Sequence, residues 1–204
     1  MQKEAVVFGV AGVFFGLLVG WIIGSQHAVP VAPVTPAPAA QSASGSSQPA
    51  PALDESRARA LETQAERDPR DAETRIQLGN LYFDSERFTE AVRWYQEALR
   101  IDPKNVNAST DLGISYYYMN QPDRALEQFD RSLAVDPKHA KTLLNVGIVR
   151  AFGKQDLDGA AKAFEQVLLV APDTPEGRAA RQALDGIRSA HPGAGGAAGR
   201  GGGQ

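Results

Sequence analysis

The sequence predicts an all-α chain: a solenoid of about three helix–turn–helix repeats with flanking helices, carried behind one N-terminal transmembrane helix. Three observations lead there. Residue types recur at a period near 34 from Asp68 to Pro172, a twenty-residue run without charge opens the chain, and a Pro-rich stretch and a Gly-rich stretch set off the periodic part. A fixed period of this size means units that bury their apolar faces on one another. The 204 residues suit one folded domain with attachments. The absence of Cys excludes a disulfide framework, a thiolate nucleophile and a Cys-based zinc site. A balance of 21 basic and 24 acidic residues gives no field that would draw nucleic acid.

The first element is an anchor over residues 1–24. Ala5 to Gly24 carry no charged or strongly polar side chain, and twenty helical residues span about 30 Å, the thickness of a bilayer core. A cleaved signal peptide has a shorter apolar core of about 7–15 residues and a small-x-small site. Ser25 to Pro30 offers no clean A-x-A, so the segment reads as an uncleaved contact with the lipid bilayer through residues 5–24. Lys3 precedes the run and the next basic residue is Arg57. The positive-inside rule then leaves the N-terminus in the cytoplasm and exports the rest, a single-pass inner-membrane protein with a periplasmic domain. Gly12, Gly16, Gly20 and Gly24 share one helix face, where small residues let a second helix approach closely. A homo-oligomer or a membrane partner follows from that stripe; the competing explanation is that Gly is common in membrane helices.

Residues 25–53 are rich in Pro, Ala and Ser and free of charge until Asp54, a composition that cannot bury enough apolar surface to offset its ordering entropy. They are expected to form a disordered tether reaching about 90 Å at polyproline spacing. The tail 191–204, HPGAGGAAGRGGGQ, is expected to be disordered as well.

Between them lies a domain over 54–190, and its repeats can be read in register. Pro69, Pro103, Pro137 and Pro172 stand 34, 34 and 35 apart, the first three each preceded by Asp. Leu78-Gly79 recurs as Leu112-Gly113 and Val146-Gly147; Tyr82 matches Tyr116; Ala91, Ala125 and Ala160 match, as do Tyr95, Phe129 and Phe164. These residues resemble the tetratricopeptide repeat: L-G-x-x-Y, then A-x-x-x-F, then a closing Pro. The glycines let the two helices of a repeat come close, and the aromatics are expected to fill the gap between repeats. Proline ends each second helix. Repeats fall at about 72–105, 106–139 and 140–174. The third departs from the pattern twice: Arg150 stands where the others have Tyr, and one extra residue lies between Gly147 and Ala160. Residues 54–67 resemble the second half of an upstream repeat, and 175–189 read as a solvating cap helix with Ala180, Ala183, Leu184 and Ile187 on one face.

The resemblance implies a right-handed solenoid whose first helices line a concave groove for a protein or peptide partner. Carried over by register, the groove residues are Ile76, Asn80 and Phe83; Asn107, Thr110, Ile114, Tyr117 and Tyr118; and Lys141, Leu144, Ile148 and Phe152. So many apolar and aromatic groups on a solvent face mark a binding surface. The alternative is that they serve stacking, or are covered by the linker or a second copy. Some members grip a terminal carboxylate with a Lys, two Asn, a second Lys and an Arg. Asn80 and Lys141 match that pattern, but Ile76, Asp111 and Asn145 do not, and Asp111 would repel a carboxylate.

Catalysis finds little to work with. His27, His139 and His191 are the only histidines, two of them in segments expected to be disordered, so no triad or His-rich metal site assembles. No Gly-x-x-x-x-Gly-Lys-Ser/Thr is present. The sequence predicts no catalytic residue, no metal and no cofactor. Its reading is a non-enzymatic membrane-anchored adaptor; the alternatives are a homo-oligomeric scaffold through the glycine stripe, or a cytosol-facing receptor.

Overall fold

Several helices of the domain start on a side-chain cap that the sequence supplies. In the computed structural model residues 52–190 are described. The predicted membrane segment with Gly12, Gly16, Gly20 and Gly24, most of the linker, and the tail 191–204 lie outside them. Among the described residues no helix is long and apolar enough to cross a membrane. Leu53, read as the end of the linker, instead packs against the core.

The described residues hold eight α-helices and no strand: α1 Glu55–Arg67, α2 Ala72–Asp84, α3 Phe88–Ile101, α4 Val106–Tyr118, α5 Pro122–Val135, α6 Ala140–Ile148, α7 Leu157–Val170 and α8 Pro175–Ala190. A five-residue π-helical segment, Val149–Gly153, continues α6. Asp54, Asp71, Asn105 and Asp156 cap α1, α2, α4 and α7, each accepting a backbone N–H three residues on at 2.8–2.9 Å. Asp71 is held below the usual carboxylate range by the Thr74 hydroxyl and N–H that it binds. The Asp of each Asp-Pro pair has its own part. Asp68, Asp102 and Asp136 follow the second helices, and each carboxylate accepts the N–H two residues on, at 2.9, 3.2 and 3.0 Å. Such a turn aims the chain into the next first helix.

Packing follows the repeat. Within each unit α2 lies on α3, α4 on α5 and α6 on α7; between units α3 packs on α4 and α5 on α6. Helix α1 covers α2, and α8 covers α7 and part of α6. The aromatics expected between repeats instead lie within them, where each hairpin closes on a glycine facing the ring. A Cβ on Gly79 would come 2.5 Å from the Tyr95 ring, and those on Gly113 and Gly147 would collide with Phe129 and Phe164 in the same way. All three rings are at most 1% exposed, so the glycines are there for close approach. The small Ala91, Ala125 and Ala160 are fully buried beside them.

The extra residue of repeat three is taken up in the turn. Helix α6 gives way to the π-helical segment, where the Lys154 N–H donates to the Val149 carbonyl at 3.0 Å. Since Gly147 still faces Phe164, the insertion leaves the hairpin contact unchanged. The three turns within the repeats each contain one left-handed residue, and none is glycine: Glu86, Asn120 and Gln155, with φ of 56°, 58° and 56°.

Candidate functional site: the face of the first helices

Helices α2, α4 and α6 share one face, and side-chain contacts join them across it. The Phe83 ring of α2 meets Tyr118 of α4 edge-on at 5.5 Å, and Phe88, at the start of α3, stacks on Tyr118 at 4.9 Å. Tyr117 lies edge-on to Tyr118 at 6.1 Å. Lys141 of α6 donates to Asp111 of α4 at 2.6 Å. Ile76, Phe83, Ile114, Tyr117 and Tyr118 are half-buried, while Asn80, Asn107 and Phe152 are exposed. Burial, together with Tyr117 and Glu86, pushes the Tyr118 hydroxyl up to about 12, so it stays a neutral donor.

Three of the residues assigned to the groove belong to the interior. Thr110 is fully buried. Its hydroxyl meets those of Thr142 at 2.6 Å and Ser132 at 3.0 Å, and His139 Nδ1 reaches Thr142 at 2.7 Å. This register position turns toward the next repeat, where small hydroxyls fit between α4, α5 and α6. Leu144 and Ile148 are 3% and 7% exposed, on the helix that α8 also packs against. Tyr117 is partly committed too, since its ring comes within 3.2 Å of where a Cβ on Gly153 would sit. Lys141 is on the face, but Asp111 neutralises it.

Sequence reasoning passed over Asp84 and Phe88, and took Asp111 only as a group that would repel a carboxylate. Asp84 could have been found, because it stands 34 residues before Tyr118 and occupies the same place in its repeat. Phe88 has Pro122 at its equivalent position, so periodicity gives no signal for it. Asn80 is engaged from below: the Tyr95 hydroxyl donates to its Oδ1 at 2.7 Å. Burial raises that hydroxyl far above its ordinary pKa, with the fields of Asp111 and Asp84 adding to the effect. Asn145 donates to the Lys141 carbonyl at 2.8 Å. The two residues that match the carboxylate-gripping pattern are thus tied to other groups of the domain. Among the described residues no three His, Asp or Glu side chains converge to hold a metal.

Two family models match the chain, one described as TPR repeat over residues 79–120 and one as Tetratricopeptide repeat over residues 110–177. Solved structures agree. The crystal structure of MamA is 21% identical with a TM-score of 0.59, covering 65% of this chain and 75% of that one. The first TPR of Spaghetti (RPAP3), bound to the HSP90 peptide SRMEEVD, is 27% identical with a TM-score of 0.54, covering 60% and 94%. The Arabidopsis OM64 TPR domain is 20% identical with a TM-score of 0.53, covering 58% and 94%. No curated protein sequence matches this chain. Models and structures together support the tetratricopeptide-repeat family, whose fold is typically a non-catalytic scaffold for protein–protein interaction.

Proposed function

We propose that this chain is a non-enzymatic, membrane-anchored adaptor that holds a segment of a partner protein on the face of α2, α4 and α6. The observation that carries the reading is the set of half-buried apolar and aromatic side chains on that face, Ile76, Phe83, Ile114 and Tyr118, of which Phe83 and Tyr118 meet at 5.5 Å, together with the exposed Asn80 and Asn107. Apolar groups rimmed by polar ones suit a protein partner. The RPAP3 neighbour, which carries a bound peptide, supports the same use of the fold. The apolar run 5–24 supports anchoring in a membrane, with Lys3 favouring a cytoplasmic N-terminus and a periplasmic domain. An anchor of that kind raises the effective concentration of a captured partner at the membrane.

A photo-crosslinking residue at Asn107, in intact membranes, tests the adaptor reading. A distinct protein should be captured there and lost in Ile114→Glu while the domain stays helical; adducts to this chain alone would end the reading. The glycine stripe favours one second reading, self-association through the span. Gly16→Ile with Gly20→Ile should abolish an oligomer built that way.

A further inference from the structure

From repeat one to α8 the domain has three successive joints, built to one register and filled with different chemistry. Where repeat one meets repeat two, the register places Ile76 of α2, Ala98 of α3 and Ala108 of α4. Where repeat three meets α8, the equivalent places hold Leu144, Val167 and Gly177. Where repeat two meets repeat three they hold Thr110, Ser132 and Thr142, all fully buried. The two apolar sets leave no buried side-chain polar group to satisfy. The hydroxyl set satisfies itself as a closed triangle, with Thr110 2.6 Å from Thr142, and Ser132 3.0 Å from each of them. The Thr110 hydroxyl also lies 2.8 Å from the Val106 carbonyl.

The same joint carries charge where the one before it carries rings. Phe83 and Phe88 of repeat one meet Tyr118 of repeat two at 5.5 and 4.9 Å. Between repeats two and three stand two ion pairs, Lys141 on Asp111 and Lys154 on Asp123, each at 2.6 Å. All four side chains keep some contact with solvent, and pairs of that kind contribute little. The hydroxyl triangle also touches a titratable group: His139, the N-cap of α6, with its Nδ1 2.7 Å from Thr142. Its counterpart in the previous joint is Asn105, which caps α4 and does not titrate. Asp111 of α4, Asp136 after α5, Lys141 of α6 and Glu176 of α8 all act on the His139 ring. Burial and the positive end of α6 disfavour a second proton on it. Water can replace each hydrogen bond of such a joint when it parts, whereas rings and methyl groups lose their contacts outright.

We infer that the solenoid opens first at the joint between repeats two and three, with α6, α7 and α8 moving as a unit, and that acid promotes the opening through His139. The joint of repeats one and two stays closed. Opening parts Lys141 from Asp111 and so alters the face of the first helices. The inference goes beyond the adaptor reading and stands or falls without it.

The chain has no Cys, so introduced cysteine pairs accept nitroxide labels at chosen sites alone. Arg100, Ala134 and Leu169 are exposed and occupy one place in successive second helices. Arg100→Cys with Ala134→Cys spans the first joint, and Ala134→Cys with Leu169→Cys spans the second. Spin–spin distances are read on the full-length chain in zwitterionic micelles. The second pair should show an added population of longer separation that grows up to about tenfold between about pH 7.5 and about pH 5.5, the limit for one proton on a group of ordinary pKa 6.5. The first pair should keep a single separation throughout. His139→Asn, which copies Asn105, should remove the pH dependence. Thr110→Ile with Ser132→Ala and Thr142→Ala, which copies the apolar set, should shrink the longer population at either pH. One unchanging separation for both pairs would overturn the inference, and so would equal broadening of the two. A longer population that grows in the apolar variant would mean that the hydroxyls hold the joint shut, and would overturn it as well.

Discussion

In repeat two, α4 runs thirteen residues and passes to α5 through Met119–Gln121; in repeat three, α6 runs nine, and five π-helical residues follow before the chain turns at Lys154–Asp156. Both bury a glycine against a ring, Gly113 on Phe129 and Gly147 on Phe164. The difference extends to the position where the repeats carry Tyr or Arg. Tyr116 accepts from Gln96 of α3 at 2.8 Å and from Arg124 of α5 at 2.9 Å, with the Arg124 guanidinium 4.0 Å over its ring. Arg150 bonds locally to Asp156, the cap of α7, at 2.8 Å. Repeat three is instead joined to repeat two by Lys141 on Asp111, Lys154 on Asp123, and the hydroxyls of Thr110, Ser132 and Thr142. The lesson is where a repeat tolerates change: an extra residue enters at the turn, whose backbone bonds can be remade, and the tightly packed glycine–aromatic contact keeps its register.

The largest effect expected tests that claim. Phe129→Ala and Phe164→Ala should each cost about 3–5 kcal/mol of unfolding free energy by denaturant titration. Costs that agree to within about 1 kcal/mol would show the two hairpins equally well packed. A much smaller cost for Phe164→Ala would show the π-helical turn to have loosened repeat three.

A middling effect sits at the junction of the two repeats. Burial lowers the pKa of His139 below its ordinary 6.5, with Lys141 acting the same way and Asp136, Asp111 and Glu176 opposing. The folded state then binds fewer protons than the unfolded one, so this contribution is full above about pH 6.5 and is lost as pH falls from there through the folded value. Thermal unfolding followed from pH 7.5 to about 5 should show a falling midpoint. His139→Gln should fall less steeply over the same range; parallel curves would remove His139 from the account.

The smallest effect concerns the left-handed turns. A side chain in this conformation costs about 1–2 kcal/mol, and Asn tolerates it best. Glu86→Gly and Gln155→Gly should each stabilise by about 0.5 kcal/mol after the entropy of glycine is deducted, and Asn120→Gly by less. An equal gain at all three turns would show that the different backbone of repeat three does not alter this site.

Much of this was legible in the residues. The 34-residue period, the glycine–aromatic pairs and the caps are set by interactions near in sequence or repeated unit by unit, so register alone finds them. The extra residue after Gly147 was visible too, although its conversion into a π-helical turn was not. The groove was read less well, because register assigns the same outlook to equivalent positions while neighbours differ. Ile76 is half-buried and its equivalent Thr110 is sealed under α6.

By itself, then, the sequence determined the all-α class, the helix count per repeat and the residues that close each hairpin, since helical periodicity and steric fit between glycine and ring are local physics. Only the tertiary structure decided which first-helix side chains face outward. Thr110, Leu144 and Ile148 went inside, Lys141 was neutralised by Asp111, and Phe83, Phe88 and Tyr118 came together from three helices. Those outcomes depend on what the next helix brings to within a few ångströms, and no spacing along one chain encodes that directly.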